Sequence, residues 1–200
     1  MVEIRRLTAD EGRRYLSALA AVLVNCVEGG ASVSFMAPFS HADAESFFES
    51  VLTEVEAGKR IVLAAFVDSV LVGTVQLVTA TPPNQSHRAD VAKLLVLRSA
   101  RGQGIATRLM EAIEEAARGA GKSLLVLDAV TGGTAAKLYA RLGWTQVGII
   151  PNYALFPDGR YCDTTYFWKQ IGGDHATIRK VSTGGSLHAP GADARGLTAT

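Results

Sequence analysis

Two hundred residues make one domain, or one domain with a tail, and a chain of that length buries roughly two-thirds of its unfolded surface without a disulfide framework or a metal. Hydrophobic residues make up 48% and charged residues 20%, and 20 Lys plus Arg against 19 Asp plus Glu leave a formal charge of +1. That balance gives no electrostatic ground for nucleic acid or an anionic membrane as a partner.

Val2 to Arg6 alternates as a short strand. Thr8 with Glu11 forms a capping-box pattern, and apolar residues then recur at helical spacing to Val27, with Gly29-Gly30 as the stop. After an irregular apolar stretch, Ala31 to Phe39, Ser40 with Asp43 starts a second helix that Gly58 closes. The period then changes. Arg60 to Val67 and Val70 to Thr79 read as a hairpin turning at Asp68-Ser69, and Ala89 to Leu97 reads as a further strand. Gly104 to Arg118 is helical, Ser123 to Asp128 is an apolar strand, and Thr134 to Leu142 is a shorter helix. Trp144 to Ile150 and Tyr161 to Lys169 are the last strands, and Pro151 to Arg160 is expected to be a loop between them.

The expected class is therefore α/β (α+β): one mixed seven-stranded sheet with helices on both faces, the strands ending at Leu97 and Asp128 lying parallel through a right-handed crossover. The domain is expected to span residues 1–172. Residues 173–200 are Gly-rich and without aromatics, a composition that buries too little to offset its ordering entropy, so a disordered tail is expected there. Cys26 and Cys162 stand in no CxxC or Cys/His spacing, which suits two core thiols in a reducing cytosol and no metal site. The first residues lack the apolar region of a signal peptide, and no apolar run approaches the roughly 18 residues of a membrane span. A cytoplasmic location is the expectation.

The most informative stretch runs from Val91 into Arg101-Gly102-Gln103-Gly104-Ile105-Ala106, where a strand passes straight into a helix. Free amides at a helix N-terminus, with glycines that let a ligand approach the backbone, make an anion site suited to phosphate; the bland alternative is a tight turn with no ligand. It is not a Walker loop, since no Gly-Lys-Ser/Thr follows, and it is not GxGxxG, since Thr107 stands three residues after Gly104.

In context, Val96 to Ala106 resembles the acetyl-CoA pyrophosphate motif Q/R-x-x-G-x-G/A of the GNAT superfamily of N-acetyltransferases. Ala135-Ala136-Lys137-Leu138-Tyr139-Ala140-Arg141-Leu142-Gly143-Trp144 resembles that family's second signature, a helix bearing Tyr followed by Gly and an aromatic. The resemblance covers roughly residues 2 to 170. Gly29 to Val33, Phe35-Met36, Lys93-Leu94, Leu127-Asp128 and Pro157 to Arg160 resemble the tabtoxin-resistance type within it. The family often has Pro where Arg98 stands and Asn where Gly132 stands.

The resemblance implies acetyl-CoA as cosubstrate, with no metal. Its pantetheine arm would pair like an added strand with Leu95, Val96 and Leu97. Its pyrophosphate would rest on the amides of Gly102, Gln103, Gly104, Ile105, Ala106 and Thr107, with Arg101 and Arg108 as charge contacts or else merely solvated. It implies direct attack by an amine in a ternary complex, on a small acceptor such as a toxin, antibiotic or amino-acid-like metabolite. A protein-modifying acetyltransferase and a non-catalytic acyl-CoA-binding module are the alternatives. The protein would act as a monomer or homodimer.

That chemistry makes two demands. The acceptor must lose a proton, and the departing thiolate is best protonated. A tyrosine hydroxyl, at pKa ~10 against ~8.5 for a thiol, remains protonated at neutral pH and can serve as that acid. Tyr139 occupies the family's matching position; otherwise it is an ordinary aromatic on an amphipathic helix. Asp128, where the apolar strand ends, is a candidate base, an ammonium anchor, or a cap on the next loop. Ser32, Ser34 and Met36 lie where family members build the acceptor pocket, or else that segment simply plugs the core.

Overall fold

The computed structural model describes residues 1–172; the expected tail, 173–200, lies outside the described residues. The chain runs β1 (Val2–Leu7), α1 (Ala9–Arg14), α2 (Leu16–Glu28), α3 (His41–Glu56), β2 (Arg60–Val67), β3 (Val70–Val78), β4 (Arg88–Val96), α4 (Ile105–Gly119), β5 (Leu124–Val130), α5 (Thr134–Arg141), β6 (Thr145–Leu155) and β7 (Tyr161–Gln170). The strands form one mixed seven-stranded sheet in the order β1-β2-β3-β4-β5-β7-β6. Only β4 and β5 are parallel, joined by the α4 crossover; the other neighbours are antiparallel.

Alternation along β2 builds the two layers. Val62, Ala64 and Phe66 face the core under α2 and α3, whereas Ile61, Leu63 and Ala65 face the core under α4 and α5. No helix among the described residues is long and apolar enough to cross a membrane.

Local chemistry sets most boundaries. Thr8 with Glu11 and Ser40 with Asp43 form complete capping boxes at the starts of α1 and α3. Asp68 and Ser69 both take positive φ, 48° and 67°, which matches the right-handed twist of the β2–β3 hairpin.

Two expectations needed correction. The helix foreseen from Thr8 to Val27 is two helices that break at Tyr15, where the ring turns onto Phe66 with centroids 5.0 Å apart. Glycine is also a poor helix former, and Gly12 lies directly against the Leu52 side chain of α3. The first half of the Pro151–Arg160 loop is instead strand, since β6 continues to Leu155 and pairs Leu155 with Tyr161. Pro151 is tolerated because β6 is an edge strand and the register shifts there, with the Asn152 amide donating to Asp163 Oδ1 at 2.9 Å.

The feature that creates the site is a parting of the two parallel strands. Pairing between β4 and β5 is confined to Arg88 with Leu124, Ala89 with Leu125 and Asp90 with Val126. Beyond it β4 bends, with Lys93 at φ 52° and a register shift against β3, while β5 stays paired to β7 as far as Val130. The strands open into a V whose mouth faces the start of α4.

Candidate active site

A cavity of about 790 Å³ fills that V. One end is the turn into α4, where Gly102 and Gly104 hold φ 80° and 76°. Only glycine adopts that conformation without strain, and a Cβ built on Gly104 meets no atom within 4 Å. Unlike α1 and α3, this helix has no side-chain cap and no acidic residue in its first turn. The amides from Gly102 to Thr107 find no acceptor among the described residues, so a row of donors and the positive end of the helix dipole face the cavity.

The sequence-predicted residues of this turn divide. Gly102, Gly104, Ile105, Ala106 and Thr107 line the cavity together with Leu95 and Val96, whereas Gln103 and Leu97 are not on its wall. The Leu97 amide is engaged by the Val72 carbonyl. Arg101 also lines the cavity, but its guanidinium turns back, donating from Nε to the Val96 carbonyl at 3.2 Å and standing 3.8 Å from Cys26 Sγ. Burial pushes the Cys26 thiol above its ordinary pKa, with Arg101 opposing. Cys26 is thus an inert wall of the cavity rather than a nucleophile.

Tyr139 and Asp128 come together at the other end. Tyr139 is 5% exposed, its ring packed between Trp144 and Phe167 at 6.0 and 5.7 Å. Its hydroxyl has no hydrogen-bond partner among the described residues, and burial, reinforced by the charge of Asp128, holds its pKa well above that of a free tyrosine. Behind it lies a buried polar knot. The Trp144 amide donates to the Tyr139 carbonyl at 3.0 Å, and Trp144 Nε1 donates to Glu114 Oε1 at 3.1 Å. Lys169 Nζ donates to both Glu114 oxygens, at 2.8 and 2.7 Å, and to the Leu142 carbonyl at 2.7 Å.

Asp128 opens onto the cavity from β5. The crowding of the surrounding walls raises its pKa above the ordinary carboxylate value, Lys93 opposes that shift, and Asp90 adds to it.

The flank of this end is a second cavity of about 300 Å³. Ser32, Ser34 and Met36 all line it, with different duties. Ser32 Oγ donates to the Leu155 carbonyl at 2.7 Å and so ties the segment to β6, while Met36 is 45% exposed. Ser34 accepts from Lys93 Nζ at 3.0 Å.

Lys93, Tyr153 and Tyr166 are the residues missed from sequence. Tyr166 stands in register with Asp128 and donates from Oη to Tyr153 Oη at 2.6 Å. That bond, then burial and the negative charges of Asp128 and Asp90, push its pKa up to about 12. The partners of this pair depend on the β6–β7 register, which no local pattern carries. For Lys93 the signals were its place in a strand whose other end approaches the glycine turn and the resemblance of Lys93-Leu94 to the tabtoxin-resistance type, neither of which gave it a role.

A wall of free amides, an open strand pair and a protonated tyrosine facing a carboxylate can hold a pantetheine diphosphate and move protons at a thioester. The model of the acetyltransferase (GNAT) family matches residues 30–144. An uncharacterised N-acetyltransferase from the hisH-hisA intergenic region of Azospirillum brasilense is 34% identical over 106 residues, 52% of this chain, and the matched stretch spans 61% of that relative's length. The N-acetyltransferase of Staphylococcus aureus Mu50 has the same fold, with a TM-score of 0.72 at 19% identity over 86% of this chain and 99% of the other. So does yncA of Salmonella typhimurium, whose structure holds its cofactor acetyl-CoA, with a TM-score of 0.71 at 18% identity over 88% of this chain and 96% of that one. The chain belongs to the acetyltransferase (GNAT) family.

Proposed function

We propose that this protein is an acetyl-CoA-dependent N-acetyltransferase acting on the primary amine of a small molecule, a toxin, antibiotic or amino-acid-like metabolite of the kind handled by the tabtoxin-resistance type. The observation that carries the reading is the single cavity running from the bare amides of α4 to Tyr139 and Asp128. It joins an anion cradle to an acid and a base along a path lined by the unpaired edge of β4.

The amides from Gly102 to Thr107 hold the diphosphate, and Leu95 and Val96 border the pantetheine path. The acceptor nitrogen attacks the thioester carbon directly, a carbon–nitrogen bond forms, and the carbon–sulfur bond breaks. Asp128 takes the proton that the amine must shed, and Tyr139, kept protonated by burial, gives its proton to the departing thiolate. A raised carboxylate pKa makes Asp128 a better base than an exposed aspartate.

A small acceptor suits the site because Phe156 and the tip of the β6–β7 hairpin approach the cavity, with the Ala37 amide donating to the Pro157 carbonyl at 3.0 Å. A panel of small amines and peptides incubated with acetyl-CoA, with free thiol as readout, tests the reading. Release with small amines and not with peptides is expected. Release only with peptides favours a protein acceptor, and binding without release to any acceptor leaves an acyl-CoA-binding module.

A further inference from the structure

Lys93 lines the cavity on the side of Ser34, and the proposed reaction does not use its charge. Its ammonium donates to Ser34 Oγ and lies over the rings of Phe35 and Phe47, at 5.5 and 5.8 Å from their centroids. Among the described residues no carboxylate comes within ion-pair distance of it. Arg60, the cation that acts on it, differs in being paired with Glu54 at 2.7 Å.

The backbone singles out the same two residues. Ser34 and Lys93 both hold a left-handed conformation, φ 79° and 52°, which residues with a Cβ adopt only under strain. Two strained residues from distant parts of the chain thus meet side chain to side chain at the cavity wall. Across the same cavity stands Asp128, close enough to influence Lys93 and too far to pair with it. Burial and Arg60 hold the lysine below its ordinary pKa, with Asp128 opposing. A half-buried ammonium beside an aromatic pair is short of negative charge, and an arriving anion would supply it.

We infer that Lys93, with the Ser34 hydroxyl, binds a carboxylate carried by the acceptor, so that the acceptor is an amino acid or a close relative whose ammonium faces Asp128 while its carboxylate faces Lys93. This rests on the transferase reading above and narrows it to a zwitterionic substrate. Opposite charges set apart in one cavity select molecules that carry both charges and leave one side unpaired with those that carry only an amine.

The test uses the full chain at saturating acetyl-CoA, with free thiol as readout. The probes are the common α-amino acids together with 3-aminopropanoate, 4-aminobutanoate and 6-aminohexanoate, each beside its carboxamide. At least one acid should be used with kcat/KM about 10- to 100-fold above its amide. Lys93→Gln should erase that preference by raising the acceptor KM for the acid at least about tenfold more than for its amide, with the acetyl-CoA KM changing by less than about twofold, and Lys93→Arg should retain it. An amide used as well as its acid, an equal loss on both in Lys93→Gln, or weakened acetyl-CoA binding in that variant overturns the carboxylate site and leaves the transferase reading standing. Reaction confined to amines that lack a carboxylate does the same. Silence from every amine and peptide, with acetyl-CoA bound, overturns both.

Discussion

Replacing Gly104 separates the shape of the diphosphate cradle from its charge. The residue caps α4 with φ 76°, and a Cβ there meets open space. Gly104→Ala therefore adds left-handed strain and no clash, about 1–2 kcal/mol, which lowers Tm by roughly 2–8 °C in a domain of this size. Gly104→Glu adds the same strain and sets a carboxylate beside the free amides. At about 5 Å from a phosphate charge, with an effective dielectric constant of about 20, the repulsion is roughly 3 kcal/mol, or more than about a hundredfold in Kd. With acetyl-CoA about a hundredfold above Kd, the unaltered protein gains roughly 2.7 kcal/mol, which raises Tm by about 5–11 °C. At the same concentration the Ala variant should keep most of that rise from a lower baseline. The Glu variant should keep less than about 0.3 kcal/mol, a rise of under about 1 °C. Thermal unfolding with and without acetyl-CoA, alongside circular dichroism to establish folding, reads all three. A folded Glu variant that rises like the parent would refute the diphosphate site. An Ala variant that loses the rise as completely as Glu would show that the turn acts through its backbone path and not through charge.

The two proton-handling residues give the remaining expectations. Tyr139→Phe should keep the fold and the acetyl-CoA-induced rise in Tm while kcat falls by about 10- to 1,000-fold; turnover like the parent's would mean that water protonates the thiolate. For Asp128 the fold raises the carboxyl pKa, so its stabilising share is full below the unfolded value of about 3.9 and is lost as pH rises through the folded value. At neutral pH the charged form opposes folding, so Asp128→Asn should be as stable as the parent, or more so, by thermal unfolding at pH 7. Its kcat should fall, with partial recovery as pH rises and more acceptor becomes free base; a raised acceptor KM with little recovery would make Asp128 an ammonium anchor instead.

What could be read from the chain was what neighbours in sequence decide. The capping boxes at Thr8 and Ser40, the Asp68-Ser69 hairpin and the glycine turn before Ile105 each depend on residues within a few positions of one another. Tyr139 and Asp128 were found because each sits at a marked point, one in a motif and one at the end of an apolar run. Lys93 was hidden because a left-handed residue inside a strand leaves no trace in apolar alternation. Pro151 misled because proline stops an inner strand, whereas β6 is an edge strand bulged at that point. Glu114 carries no local mark in the sequence, and its partners Trp144 and Lys169 become visible only when α4, the turn after α5 and β7 are brought together.

That carboxylate ties the two ends of the cavity to one rigid body. Gly104, at the diphosphate end, and Glu114, which grips Trp144 behind Tyr139, belong to the same helix, about 15 Å apart along its axis. A helix of this length does not flex between them as a loop would, so the spacing from cradle to hydroxyl is a property of the folded chain before any ligand arrives. Whatever enters through the opening between β4 and β5 meets Tyr139 already stationed, and no closing motion is needed to bring it there.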